Sequence, residues 1–336
     1  EISACLVGSE MCIRDRKKLI KKYKLSETSS LSEIARNIIN IETESLVTLR
    51  KSIDQSFDKV ADLIHKSTGG FFQSLYFSNM ERTARFGSLL KLLDDKNKDV
   101  QKGVQRALLE FEGDASHDLA ALGINLKSDE SKILSESLHA GRQRLLEEQW
   151  VVPASILSYP DGDYESFEAL LRLISDFLHD GITLRPSLSD GLDIIAQEAH
   201  PEVGTARELA DWLFKSGRFT GNHSVPFDPR NSDLTWSLDE GQSNPLGLSL
   251  IYILVAQRLS LTVYGVNYPG HFLCLIDSQD GPTLIDAFHK GRPIIVKQLL
   301  NEHPELSTKA KKAVQQPCSL AAMLLRILAN MNLAFN

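Results

Sequence analysis

The sequence has few cysteines, and none of them stands in a spacing typical of a structural site. Cys5, Cys12, Cys274 and Cys318 are the four cysteines among 336 residues, and no two of them form a CxxC pair. This pattern excludes a disulfide-rich scaffold and a cysteine-ligated zinc site. We accordingly expect neither a bound metal nor another cofactor.

An excess of positive charge and a long apolar run are also missing. The formal net charge is -7, whereas binding to nucleic acid depends on clustered positive charge. No apolar stretch approaches the length of a membrane span, and no basic segment precedes a signal-type apolar core. The composition predicts a cytoplasmic globular protein whose partners are proteins, and not nucleic acid or a membrane.

The sequence does contain one strongly apolar stretch, which begins at Asn244. From Leu246 to Leu259 apolar side chains occupy nearly every face of a helix of about four turns, and Pro245 stands where a first-turn proline is tolerated. A helix that is apolar on all faces lies in the middle of a domain. We therefore expect the rest of this region to pack around it.

Two short apolar runs after this helix predict a β-hairpin that carries a histidine and an aspartate. The predicted strands are His271–Ile276 and Thr283–Phe288, with residues 277–282 as the loop. Antiparallel pairing about that loop places His271 opposite Asp286, with Cβ atoms roughly 4.5–5.5 Å apart. In such a dyad the carboxylate orients the imidazole and supports its second nitrogen as a base. The alternative is a core histidine that has only a structural role.

Short sequence words around this stretch resemble the SirB branch of the transglutaminase-like superfamily. They occur in the same order between about residues 150 and 336: Gly221-Asn222, DPRNS at 228–232, NPLGLS at 244–249, PGHF at 269–272 and IDAFHKG at 285–291. The resemblance implies an α+β fold. In it, an N-terminal all-helical region precedes a papain-like core, which is a buried helix packed on a small antiparallel sheet. The resemblance and the polar stretch before the helix together predict four braces of a cleft around the histidine: Asn222, Asp228, Asn231 and Asn244.

The nucleophilic cysteine of the superfamily has no counterpart in this sequence. Its position at the start of the core helix falls at Pro245 or Leu246, and neither side chain can attack a carbonyl. Ser249 would complete a Ser/His/Asp triad with the predicted dyad, although a serine inside a helix more often bonds its own backbone. Cys274 lies three residues along the strand from His271, on the opposite face, so we expect a buried, inert thiol.

Two N-terminal segments resemble sequences that are unrelated to the rest of the chain. The word VGSEMCIRDR at residues 7–16 resembles an in-frame translation of a sequencing adaptor, so residues 1–16 are expected to be an artefact. Residues 31–70 carry an apolar helical stripe and resemble the N-terminal helices of arabinose-5-phosphate isomerase. No glycine-rich sugar-phosphate loop follows Gly70. Residues 17–70 therefore belong either to a chimera joined near residue 70 or to a chance helical match.

The sequence from residue 71 onward predicts two regions, at residues 71–150 and 151–336. Residues 71–150 are expected to be helical, and the word SLLKLLDD with Val100 and Val104 resembles one hairpin of HEAT type. The connector at residues 151–163 is the predicted boundary of a SirB-like domain at residues 151–336 whose C-terminus is expected to be truncated. Within that domain we predict helices at 164–179, 188–199 and 205–215, an irregular stretch at 219–242, and helix caps at Ser187 and Ser189.

The first functional hypothesis is a non-catalytic binding or scaffold module that acts through the cleft around His271. The second is a hydrolase or acyl transferase that uses Ser249, or water activated by His271 and Asp286. A triad would place Ser249 Oγ within about 3.2 Å of a His271 nitrogen. A third hypothesis, a sugar-phosphate isomerase fragment, depends on residues 31–70 alone. His289 is expected to be merely exposed.

Overall fold

In a computed structural model of the chain, the described residues are 71–93, 95–157, 162–225 and 228–335, with side chains from residue 81 onward. The chain divides into two compact units, Glu1–Glu81 and Arg82–Asn336. The predictions for residues 1–16 and 31–70 lie outside the described residues.

The first described region is helical. Its helices are α1 (Phe71–Leu90), α2 (Lys98–Leu108), α3 (Ser116–Leu122) and α4 (Ser128–Gln149). Helix α2 begins where the Asn97 side chain accepts a hydrogen bond from the Asp99 amide at 2.9 Å. One cluster of eight buried apolar side chains joins these helices: Phe86, Val104, Leu108, Phe111, Ala115, Leu119, Leu134 and Leu138. The predicted helical character is confirmed, and the likeness to a HEAT hairpin stays a prediction.

The second region mixes helices with short strands, which confirms the predicted α+β class. Its helices are α5 (Tyr164–Leu178), α6 (Leu188–Ala199), α7 (Ala206–Ala210, continued by a π turn Asp211–Lys215), α8 (Leu234–Glu240), α9 (Pro245–Arg258), α10 (Val296–Glu302), α11 (Thr308–Gln315) and α12 (Leu320–Phe335). Its strands are β1 (Thr220–Gly221), β2 (Gln242–Ser243), β3 (Tyr264–Val266), β4 (Leu273–Ser278), β5 (Gly281–Asp286) and β6 (Arg292–Ile295). Within the described ranges, no helix has both the length and the apolar character that a membrane span requires.

Helix α9 lies at the centre of the second region, as its apolar composition predicted. Every side chain from Leu246 to Ala256 is buried. The Asn244 side chain caps the helix by accepting the Gly247 amide at 2.8 Å, and the chain leaves it through Ser260 at a φ of 57°. Because neighbours cover every face, this helix fixes the positions of the elements around it.

The four strands β3–β4–β5–β6 form an antiparallel sheet in that order. The predicted hairpin register was wrong by two residues. Ser278 pairs with Gly281, so the turn holds only Gln279 and Asp280, and Cys274 pairs with Ile285. The φ of 95° at Gly281 allows this tighter turn, and the Ser278 hydroxyl accepts the Asp280 amide at 3.3 Å. A shift of two residues keeps each side chain on the same face of the sheet.

Two local predictions were also wrong. The stretch at 219–242 contains helix α8, which begins where the Asp233 side chain accepts the Trp236 amide at 3.0 Å and ends at Gly241 with a φ of 65°. Ser187 does cap α6, but the Ser189 hydroxyl donates to Glu168 at 2.7 Å. A serine two residues inside the helix faces a neighbouring carboxylate, which is a better partner than the free backbone amides.

Candidate functional site

His271 lies at the end of a tight turn that leads into β4. The His271 amide donates to the Tyr268 carbonyl at 3.1 Å, Pro269 follows Tyr268, and Gly270 has a φ of 77°. This is the pattern of a type II turn, in which proline at the second position and glycine at the third are favoured. The sequence YPGH therefore favours this turn, which places the imidazole just before the start of β4.

Asp286 ends β5, and its carboxylate is only 3% exposed. One oxygen, Oδ1, lies 2.9 Å from His271 Nε2, and the other, Oδ2, lies 2.8 Å from His289 Nδ1. Oδ1 also accepts the His289 amide at 3.3 Å, which starts the short 3₁₀ turn Ala287–His289. The Arg292 guanidinium approaches Oδ2 at 3.4 Å from the cross-strand partner position. The sequence-predicted pair is thus brought together, with two further groups on the same carboxylate.

The environment keeps Asp286 ionised. Burial raises the pKa of the Asp286 carboxyl, but the hydrogen bonds and charges of His271 and His289 outweigh that effect and hold the pKa below its ordinary value. An ionised carboxylate can only accept hydrogen bonds, so His271 Nε2 carries the proton that points at it. The other nitrogen, Nδ1, then remains the acceptor available to a second partner.

The structure does not bring Ser249 into this arrangement. Its side chain is fully buried, and its hydroxyl donates to the Pro245 carbonyl one turn earlier at 2.8 Å. Ser249 and His271 share no hydrogen bond, although both are described. Backbone bonding of this kind is the usual state of a serine inside a helix. A Ser/His/Asp triad is therefore not assembled.

The two thiols of the described residues are poor nucleophiles. Cys274 is completely buried and lies 3.8 Å from the Ser249 carbonyl; burial raises the pKa of its thiol to about 12. Burial also raises the pKa of Cys318 to about 11. Thiolates are the reactive form, so both side chains are inert at neutral pH.

A cleft of about 250 Å³ opens beside His271. The start of α9 contributes Leu246 to its lining, and α12 contributes Arg326, Asn330 and Leu333. The cleft therefore combines apolar surface with hydrogen-bonding groups. It lies at the N-terminus of the central helix α9.

The four predicted braces make hydrogen bonds around this cleft. Asn222 Nδ2 donates to Asn231 Oδ1 at 3.1 Å, and the Asn231 carbonyl accepts the Ser243 hydroxyl at 3.0 Å. Asp228 accepts the Arg230 amide at 2.9 Å and forms an ion pair with its guanidinium. Asn244 caps α9. Asp228 and Asn244 also line the cleft, whereas Asn222 and Asn231 are buried behind it.

Phe288 packs against the histidines of this region. Its ring centroid lies 6.2 Å from that of His271 and 4.5 Å from that of His223. A Cβ atom at Gly221 would come within 2.7 Å of this ring. Glycine at the start of the Gly221-Asn222 word is therefore required by the close approach of Phe288.

His289 and Arg292 are the site residues that sequence reasoning missed. His289 is 54% exposed, in agreement with the expectation of exposure, but its imidazole also binds the buried carboxylate of Asp286. The signal that could have identified it is the spacing: an aspartate at a strand end caps a turn whose third residue points back at it. His271, Asp286 and His289 are also the cluster of the described residues whose donor atoms suit a metal ion.

Comparison with known proteins finds one matching family model and several relatives. Residues 184–329 match the model of the transglutaminase-like superfamily. A UPF0162 protein of Xylella fastidiosa strain Temecula1 is 36% identical over 127 residues, which cover 36% of this chain and 45% of that protein. F-box only protein 21 of Mus musculus is 26% identical over 169 residues, 46% of this chain and 27% of that protein. This chain thus spans less than half of these relatives, and no solved structure matches it. The superfamily resemblance is confirmed at this level, and the SirB assignment stays a prediction.

Proposed function

We propose that the transglutaminase-like domain at residues 184–329 is a non-catalytic module that binds a protein segment in the cleft beside His271. The observation that carries this proposal is the start of α9. Pro245 and Leu246 stand where a papain-type domain presents its thiol, and both line the cleft. Neither side chain can form a covalent intermediate. The His271–Asp286 pair therefore has no thiol at the start of α9 to activate.

The lining of the cleft supports a polypeptide ligand. Arg326 and Asn330 offer donors that suit main-chain carbonyl groups, and Asp228 offers an acceptor for amides. Leu246 and Leu333 provide apolar contact beside them. Peptide segments present this same alternation of polar backbone and apolar side chains.

Selection of peptides from a displayed random library tests the binding proposal. Leu333→Arg places a charge in the cleft, whereas Leu325→Arg makes the same change elsewhere on α12; the two leucines are 66% and 69% exposed, so both variants should fold. Peptides selected on the wild-type protein should bind Leu325→Arg equally and Leu333→Arg about tenfold more weakly. Equal binding to both variants would place the peptide site elsewhere and refute the proposal.

Covalent labelling tests the absence of catalysis. The wild-type protein should not react with fluorophosphonate or acyl-ester probes beyond the rate of its His271→Ala variant. Labelling of Ser249, or ester turnover that His271→Ala abolishes, would contradict a non-catalytic role. Either result would favour the hydrolase hypothesis instead.

Installing the absent thiol tests the geometry on which the proposal depends. In a Cys5→Ser/Cys12→Ser background, the thiol of Leu246→Cys should react with iodoacetamide at pH 7 about tenfold faster than the thiol of Leu246→Cys/His271→Ala, because only the first variant has the imidazole that favours a thiolate. The same background with Leu246 unchanged provides the baseline, because it contains only the buried thiol of Cys274 and the half-buried thiol of Cys318. Equal rates would mean that His271 does not face the start of α9.

A further inference from the structure

Two imidazoles converge on one buried carboxylate. His271 comes from the turn before β4, Asp286 from the end of β5, and His289 from the 3₁₀ turn that follows. One donor atom from each of these residues lies within 4.8 Å of the others. Two imidazoles and a carboxylate at such distances form a set of ligands that proteins use for metal ions.

The distances are close to those of a coordinated ion. Nitrogen and oxygen ligands lie about 2.0–2.2 Å from zinc, so two ligands of one ion are roughly 3.0–3.5 Å apart. The contacts of Asp286 with His271 and His289 measure 2.9 and 2.8 Å. The two contacts use different oxygens of Asp286, so a single ion would either bind both oxygens or draw the two imidazoles toward one of them. His289 is 54% exposed, which leaves its imidazole room to move toward the ion.

The charge balance also favours a cation at this point. Asp286 is 3% exposed, and an ionised carboxylate at that depth requires positive charge nearby. Among the residues that the structure describes, the permanent cation beside it is Arg292, which approaches only to 3.4 Å and whose side chain is 63% exposed. A metal ion would replace this long contact by direct coordination. Arg292 would then turn to solvent.

We infer that His271, Asp286 and His289 bind one divalent transition-metal ion of the Zn²⁺ class. The donor set of two imidazoles and one carboxylate suits zinc, cobalt or nickel, whereas calcium and magnesium prefer oxygen ligands alone. Three protein ligands leave at least one position for water or for a group of a bound partner. This inference goes beyond the peptide-binding proposal and does not depend on it. Cysteine spacing could not reveal such a site, because no cysteine takes part.

The test uses the full chain, purified without a histidine tag and stripped with a chelator. Zn²⁺ is titrated against a chromophoric chelator, and Co²⁺ is added separately to record its visible absorption. The wild-type protein should bind one equivalent of Zn²⁺, and His289→Gln should weaken that affinity by about 100-fold or more. Arg292→Gln should tighten binding, because it removes a competing cation.

His303→Gln is the matched control, because His303 is similarly exposed and contacts a carboxylate, Glu305, at 2.9 Å. This variant should bind Zn²⁺ as the wild-type protein does. Circular dichroism and thermal unfolding should show that all three variants remain folded. The inference is overturned if the wild-type protein binds no stoichiometric Zn²⁺, or if His289→Gln binds as tightly as His303→Gln. Weaker binding by Arg292→Gln would likewise contradict the three-ligand assignment.

Discussion

The helical region at residues 82–149 and the mixed region at residues 162–335 bury their apolar side chains in different ways. The first joins eight buried apolar side chains, most of them from the inward faces of its helices. The second surrounds α9, whose residues Leu246–Ala256 are buried on all faces. A core made of helix faces can relax at its solvent side, whereas a surrounded helix has no such freedom. The candidate site belongs to the second kind of core.

The largest difference between the two regions should appear in the free energy of unfolding when one buried leucine in each region is truncated to alanine. Leu250 in α9 and Leu134 in α4 are both completely buried. Leu250→Ala should lower the free energy of unfolding by about 4 kcal/mol, and Leu134→Ala by about 2–3 kcal/mol, because the smaller cluster can collapse around the cavity. Urea denaturation measures both. A larger loss in Leu134→Ala would show that the helical cluster is the more rigidly packed core.

Arg142 connects the two regions, so its replacement should have the next largest effect. Its guanidinium donates to the carbonyls of Gly113, Asp180 and Ser135 at 3.0, 3.1 and 3.2 Å. Arg142→Met removes all three hydrogen bonds, including the one to the buried Gly113 carbonyl, and should cost about 2–3 kcal/mol in the free energy of unfolding. The exposed Arg144→Met should cost less than about 1 kcal/mol. Equal losses in both variants would mean that Arg142 does not tie the regions together.

The central part of the site could be predicted from sequence, because its signals are local. A helix that is apolar on all faces lies in the middle of a domain. The turn Tyr268–His271 depends on a proline and a glycine at fixed positions. The pairing of His271 with Asp286 was predicted from a register that was wrong by two residues. The contact still forms because side-chain direction in a strand repeats every two residues.

The parts that sequence reasoning missed depend on contacts between elements. The role of His289 follows from the turn that Asp286 caps, and the position of Arg292 follows from strand β6, which was not predicted. Helix α8 is seven residues long, too short for an apolar period to show. The residues that mark its two ends, Asp233 and Gly241, could not be distinguished in the sequence from the other polar and turn-forming residues nearby. Such features become visible only when the neighbouring elements are in place.

The pH dependence of stability should sharpen the comparison, because the ion pair of Glu168 with Arg258 joins α5 to α9. Burial raises the pKa of Glu168, but hydrogen bonds from Arg258 and Ser189 and nearby charges hold it below its ordinary value. A carboxyl whose folded-state pKa is depressed stabilises the protein above its unfolded pKa, and this contribution is lost as the pH falls through the folded pKa.

Glu168→Gln should therefore lower the free energy of unfolding by about 1–2 kcal/mol at pH 7. The difference from the wild-type protein should shrink in acid, below the ordinary pKa of glutamate. Glu165→Gln, an exposed change in the first turn of the same helix, is the control. Urea denaturation at a series of pH values measures the effect. A difference that stays constant down to acid pH would show that the pair does not act through the ionised form of Glu168.

The smallest expected effect concerns local opening of the two cores. It should change the reactivity of a buried thiol and leave the free energy of global unfolding unchanged. Cys274 is fully buried beside α9, so its thiol should react with Ellman's reagent only when the whole compact unit opens. Val104→Cys places a similar buried thiol in the helical cluster, where fewer neighbours must separate before reagent can enter. In a Cys5→Ser/Cys12→Ser/Cys318→Ser background, the thiol of Val104→Cys should react at least about tenfold faster than Cys274. If the two rates are equal and follow global unfolding, the two cores open together, and the difference between a relaxed helical cluster and a fixed central helix does not extend to dynamics.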